Sequence, residues 1–244
     1  MRLTYLRFHL IFNLPLLIVL AVLGGAPPWM PEEAEAFGWV LLAVVVFTTP
    51  WDNLAVKWGI WGFPREKYLR RLWYLPVEEY AFFVLQSLNV MLAVRALFRF
   101  FPDWLTGLEI VFGPVTWWLL GASLLPWLFI ALHAHWLKQN FGPCVNYARH
   151  LLWFLPVIYA QWVMAPPLFF YHAGLLALVA AAFGIYYTIA DLVAVHAGIW
   201  FFDEEQITGL KLFGVLPWEE IAFFFLTSLL VAQSYLLLAP PDAR

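Results

Sequence analysis

Two stretches of this chain set paired carboxyls against aromatic runs. LPVEEYAFF at 75 to 83 and LPWEEIAFF at 216 to 224 agree at seven of nine positions and lie 141 residues apart. Each places two glutamates, Glu78 and Glu79 or Glu219 and Glu220, two and three residues after a proline. Upstream, TPWDNLAVKWGIWGF at 49 to 63 pairs with TIADLVAVHAGIWFF at 188 to 202 at an offset of 139, which adds Asp52 and Asp191. A carboxyl away from water and beside a like charge has its charged form disfavoured, so it is suited to hold a proton and give it up. Aromatic faces stabilise a nearby cation by about 0.5–2 kcal/mol each. Acid and aromatic ring together suit chemistry that passes through a carbocation. The plainer reading is that a proline followed by acids starts a helix, but one acid per start would serve that purpose.

Helical geometry separates the members of each pair. Glu78 shares a face with Phe82, Gln86 and Asn89, and Glu219 shares one with Phe223 and Thr227, so these two are expected to point into a bundle. Glu79 and Glu220 lie about 100° round the helix. They share a face with Phe83 and Phe224 and are expected to turn to a neighbouring helix or the membrane surface. Thr49 and Thr188, three residues before the aspartates, are expected to hydrogen-bond them. Candidates to line a binding site are Trp51, Asn53, Trp61, Phe82, Phe83, Gln86, Trp200, Trp218, Phe223 and Phe224, with Trp58 and Trp73 nearby. For most of the 15 tryptophans an interfacial belt is the simpler role.

The elements that must position these residues are membrane helices. The 244 residues are 64% hydrophobic and 20% aromatic, against roughly 45–50% apolar usage in soluble domains. Crossing a bilayer takes about 20 apolar residues. Seven segments qualify, at roughly 3 to 23, 37 to 57, 75 to 98, 111 to 137, 149 to 165, 168 to 199 and 216 to 238. The first is expected to be retained, because Pro27, Pro28 and three glutamates follow it in place of a small-residue cleavage site. The predicted fold is all-α, a polytopic bundle of about seven helices. Two parallel three-helix repeats, 1 to 100 and 146 to 244, are joined through an extra helix within 101 to 145. A faint echo of YLRFHLIF at 5 to 12 in YARHLLWF at 147 to 154 extends the repeat to the first helices. With a cytoplasmic N-terminus and the C-terminus opposite, ten basic residues lie inside and three, Arg95, Arg99 and Arg244, outside. The acidic DEEQ loop at 203 to 206 is an exception that counts little.

Other classes fit poorly. Cys144 stands alone, so neither an intrachain disulfide nor a multi-cysteine metal site is expected. His133 and His135 point to different sides of a helix, and no metal or cofactor is expected. A net charge of −3 with scattered basic residues leaves no nucleic-acid footprint. A flavin site lacks its G-x-G-x-x-G fingerprint, and isolated Asp52 and Asp191 suit magnesium-diphosphate binding poorly. No lysine sits mid-helix for a retinal Schiff base. A proton or ion transporter using buried carboxylates stays open as an alternative.

The duplicated motifs, a PxEE helix start preceded by D-x-x-A-V-x-x-G-I-W, resemble the small integral-membrane lycopene cyclases of bacteria, archaea and fungi, most strongly over 47 to 90 and 186 to 232. In that family the two units occur as separate subunits or as one fused chain, and this sequence looks like the fused form. The resemblance implies redox-neutral cyclisation of the linear end groups of lycopene, taken from the bilayer, to β-ionone rings. The family's acids map onto Glu78, Glu79, Glu219 and Glu220. Glu78 or Glu219 is the expected proton donor, with Asp52 and Asp191 holding, sharing or removing protons. A carotenoid hydratase acting through the same cation is an alternative. Membrane lipid and other carotenoid-pathway enzymes are candidate contacts. Asn53, Gln86 and Asn89 become Leu192, Thr227 and Leu230 in the second repeat, which suggests that the more polar first half holds the chemistry.

Overall fold

The computed structural model describes residues 3–25, 30–110, 113–122, 125, 128–129 and 139–243. His133, His135 and much of the expected helix at 111 to 137 lie outside these residues. Among the described residues, five helices are long and apolar enough to cross a membrane: α1 (Tyr5–Gly24), α2 (Pro31–Lys57), α3 (Val77–Phe100), α8 (Ala173–His196) and α9 (Trp218–Leu238). The protein is a predominantly helical membrane bundle. Shorter helices lie between α3 and α8: α4 (Pro114–Ala122), α5 (Asn146–Leu151), α6 (Leu155–Met164) and α7 (Pro166–Tyr171). Helices α3 and α9 pack on each other and on α2, while α1 covers α3 and α8 covers α9.

Local sequence explains the boundaries. Helix α2 starts six residues before the expected 37, because Pro31 pre-sets the first turn and Glu32 and Glu33 follow it. Glu33 escapes the usual cost of burial by binding Arg95 Nε at 2.6 Å and Tyr235 Oη at 2.9 Å. The expected helix at 149 to 165 is interrupted by a 3-10 turn at Leu152–Phe154, just ahead of Pro156, which has no N–H to continue the ladder. The expected helix at 168 to 199 is divided at His172 (φ −89°, ψ 15°).

Between α2 and α3, and again between α8 and α9, the chain makes matching short strands. β1 (Trp61–Gly62) pairs antiparallel with β4 (Phe201–Phe202), joining the two halves. β2 (Arg71–Leu72) and β3 (Leu75–Pro76) form one hairpin, and β5 (Lys211–Leu212) and β6 (Leu216–Pro217) form the other. The first turn has two residues, Trp73 and Tyr74, and the second has three, 213 to 215, which accounts for one of the two residues that shift the repeat offset from 139 to 141. Each turn carries a non-glycine residue with positive φ, Trp73 at 55° and Phe213 at 52°, a conformation that costs of order 1–3 kcal/mol. Asn53 offsets this in the first turn, accepting from Tyr74 N at 3.0 Å and donating to Tyr80 Oη at 3.1 Å. Leu192, its counterpart, cannot do this.

A small residue lets α8 and α9 approach closely. A Cβ on Gly184 of α8 would sit 2.4 Å from the ring of Phe225 on α9. Gly184→Leu should cost about 1–3 kcal/mol through overpacking and lower the thermal midpoint of the purified protein in detergent. Gly38→Leu, where a Cβ meets nothing within 4 Å, should leave that midpoint unchanged.

Candidate active site

Each half carries its first glutamate backwards and its second into the bundle. Glu78 Oε1 accepts from Leu69 N at 2.7 Å, and Glu219 Oε1 accepts from Thr208 N at 2.7 Å. Both are buried, yet both are occupied in fastening the hairpin that precedes their helix. Glu79 and Glu220 instead line one small cavity of about 40 Å³, together with Asp52. The geometry therefore divides the pairs opposite to the helical-face expectation. The second glutamates of both halves meet in one place.

Each of these glutamates has a tyrosine from the start of another helix. Tyr5 Oη donates to Glu79 Oε2 at 2.6 Å, and Tyr147 Oη donates to Glu220 Oε2. These are the paired tyrosines of the echo between 5 to 12 and 147 to 154. That echo contained the signal, but its apolar surroundings made it look like core. Behind them stand the aspartates. Glu79 lies against Asp52, close enough for a hydrogen bond between the carboxyls, and Trp61 Nε1 donates to Asp52 Oδ1 at 2.9 Å. Asp191, 1% exposed, interacts electrostatically with Glu220 first and then Glu79. Trp200 is its neighbouring indole, yet neither carboxyl oxygen completes a hydrogen bond within the described residues. The threonines do not serve the aspartates as expected: Thr188 donates to Gly184 O at 2.7 Å, and Thr49 Oγ1 is buried without a partner.

Two residues between the long helices brace the chain at or next to the tyrosines. Gln206 O accepts from Tyr147 N at 3.0 Å, while its Nε2 donates to Trp58 O at 3.2 Å in the other half. Its counterpart at an offset of 139 is Lys67, whose Nζ donates to Ala197 O at 2.6 Å and Leu3 O at 3.2 Å. Ala197 is in turn the counterpart of Trp58. Asp203, in the same DEEQ loop, accepts from Gln206 Nε2 and Glu205 N, and these bonds hold its carboxyl below the usual range. The loop that looked like an exception to the charge bias is a brace.

Aromatic rings wall the cavity. Trp51 stacks on Phe223 with ring centroids 5.2 Å apart and planes 4° apart, and on His150 at 4.7 Å. Trp61 packs on Tyr147 at 5.0 Å, Trp200 on Tyr5 at 5.0 Å, and Phe82 approaches Phe224 at 6.3 Å. Other expected residues lie elsewhere. Trp58, Trp73 and Trp218 are 57%, 71% and 39% exposed, and Asn53 serves the hairpin. Phe83 and Gln86 line a second, larger cavity of about 180 Å³ between α2, α3, α6 and α9, which shares Phe223 with the first. There Gln86 Nε2 donates to Thr227 Oγ1, its own counterpart in the repeat, at 3.0 Å. Among the described residues no group of three or more His, Cys, Asp and Glu side chains is placed to hold a metal ion.

Buried carboxyls, phenol donors and a wall of rings thus converge inside a helical membrane protein. Relatives make the class specific. Lycopene beta-cyclases from two strains of Halobacterium salinarum are each 30% identical over 251 residues, covering 100% of this chain and 99% of theirs. Bifunctional lycopene cyclase/phytoene synthases match more distantly. That of Arthroderma gypseum is 26% identical over 95% of this chain and 40% of its own, and that of Phycomyces blakesleeanus is 28% identical over 92% and 37%. No family model matches the chain, and no solved structure does. The chain belongs to the lycopene beta-cyclase family.

The two kinds of glutamate should separate on mutation. Glu78→Ala or Glu219→Ala leaves a buried backbone N–H without its acceptor and should cost about 1–3 kcal/mol of stability. Tyr5→Phe leaves the hairpins intact and should cost less. Thermal midpoints in detergent measure the difference, and equal midpoints for Glu78→Ala and wild type would remove the hairpin role.

Proposed function

We propose that this protein is a lycopene β-cyclase of carotenoid biosynthesis whose single working site is built from both halves. The carrying observation is that Glu79 and Glu220 face one aromatic-walled cavity, with Asp52 and Asp191 beside them. One carboxyl adds a proton to the terminal double bond of a linear end group and leaves a tertiary cation. An internal double bond attacks that cation and closes a six-membered ring. A carboxylate then removes a proton from the ring, so no atom is gained or lost and no electron leaves the molecule.

The Asp52–Glu79 pair is suited to the first step, since two carboxyls in contact can hold one proton between them. The Glu220–Asp191 pair, on the opposite half, is suited to the last. Trp61, Trp200, Phe82 and Phe224 offer their faces to the cation between the two steps. The aromatic wall of the cavity offers little to hold a water in place, which favours ring closure over capture of the cation by water.

The proposal includes a layout. Two parallel three-helix repeats, 1 to 100 and 146 to 244, are linked through a further span within 101 to 145, giving seven crossings with a cytoplasmic N-terminus and the C-terminus opposite. The ten-to-three bias of basic residues supports that orientation. It places the acid cavity at the cytoplasmic end of the bundle.

Expression in a lycopene-accumulating bacterium tests this reading. The cells should turn from red to orange or yellow, with β-rings on chromatography. Glu79→Gln and Glu220→Gln should each lower the rate per folded protein by about 10²–10⁴-fold, the usual worth of a positioned acid or base. Unchanged lycopene beside folded wild-type protein would overturn the cyclase reading, and a hydroxylated product would replace it with a hydratase.

A further inference from the structure

The repeat brings two sets of carboxyls to one cavity, but the halves do not offer equal ways in. The larger cavity, about 180 Å³, reaches Phe223 at its inner end. At its outer end Ala43 is exposed on α2, between Leu42 and Val46, which are 51% and 65% exposed. That surface is lipid-facing. Gln86 donates to Thr227, Gln161 to Ser234, and Thr48 and Ser234 to backbone carbonyls, and the surface left facing the cavity is largely apolar. An apolar cavity of about 150 Å³ is large enough to take a benzene ring, so this one admits an end group folded towards a six-membered ring.

The related place on the other side is occupied. Thr48 on the cavity wall corresponds to Tyr187 at an offset of 139, and the wall rings Phe83 and Phe223 correspond to Phe224 and Phe82 at an offset of 141. Tyr187 packs against both counterparts, stacked on Phe224 at 5.7 Å and edge-on to Phe82 at 5.6 Å. It is 1% exposed. Its hydroxyl donates to Asn13 Oδ1 at 3.1 Å and accepts from Asn89 Nδ2 at 3.0 Å. Neither partner has a polar equivalent in the other half: Leu230 stands for Asn89, and Leu155 for Asn13. The ring fills the space that Thr48 leaves open and is tied there.

We infer that the linear carotenoid end group enters from the lipid through one side only, into the cavity walled by Ala43, Thr48, Phe83 and Phe223, and that Tyr187 closes the related side. Phe223 separates the seated end group from the carboxyls and must move for the two to meet. This rests on the cyclase reading. The two ends of one substrate molecule then use the same door in separate visits, with the singly cyclised product released between them.

Matched substitutions test this in membranes supplied with linear carotenoid, with protein amount and thermal midpoint measured for each variant. Ala43 and Ala182 are counterparts, and both are exposed on the lipid side. Ala43→Trp should slow ring formation roughly tenfold or more by blocking the mouth, while Ala182→Trp should match wild type. Thr48→Tyr, which copies the closed side, should act like Ala43→Trp. With substrate in large excess, monocyclic product should accumulate before bicyclic product. Equal rates for Ala43→Trp and Ala182→Trp, or bicyclic product formed with no free monocyclic precursor, would overturn one-sided entry. A wild-type protein that leaves the carotenoid linear would instead defeat the cyclase reading.

Discussion

An ionised carboxyl taken out of water costs several kcal/mol unless donors or a retained proton compensate it. This bundle brings four carboxyls within electrostatic reach of one another in apolar surroundings. The features around them answer that constraint. Tyr5 and Tyr147 supply hydroxyl donors, Trp61 supplies an indole, and an aspartate stands near each glutamate. The first glutamate of each motif is spent on the hairpin that sets the second one's direction.

Exchange between the halves makes the arrangement rigid. β1 and β4 are joined across the middle, Lys67 reaches a carbonyl at the end of α8, and Gln206 reaches its counterpart at the end of α2. Far from the carboxyls, Glu33, Arg95 and Tyr235 fasten α2, α3 and α9. Against this near-symmetry, Trp51, His150 and Tyr187 have no like counterparts, since Ala190, Phe8 and Thr48 stand in their places. Those departures separate an open side from a filled one.

The sequence carried much of this openly. The doubled motifs, the proline-led helix starts and the apolar composition pointed to a helical membrane bundle and to the carboxyls that the structure gathers near one cavity. What it withheld was absolute direction. A helical wheel fixes Glu78 relative to Glu79, but the hairpin register before Pro76 decides which of them meets the cavity. The tyrosine partners were visible only as two identical letters in a weak echo, and a tyrosine among phenylalanines reads as packing. Pro156 marked where a helix expected at 149 to 165 would break, though helix propensity alone does not say how the chain continues beyond it.

The braces from Lys67 and Gln206 bear on why the halves share one polypeptide. Each half lends the other a support for its tyrosine and a wall for its carboxyls, so neither encloses a complete cavity. As separate chains they would form an obligate pair whose assembly falls with dilution in the membrane. Fusion holds the ratio at one to one and makes the encounter intramolecular, independent of how densely the membrane is populated.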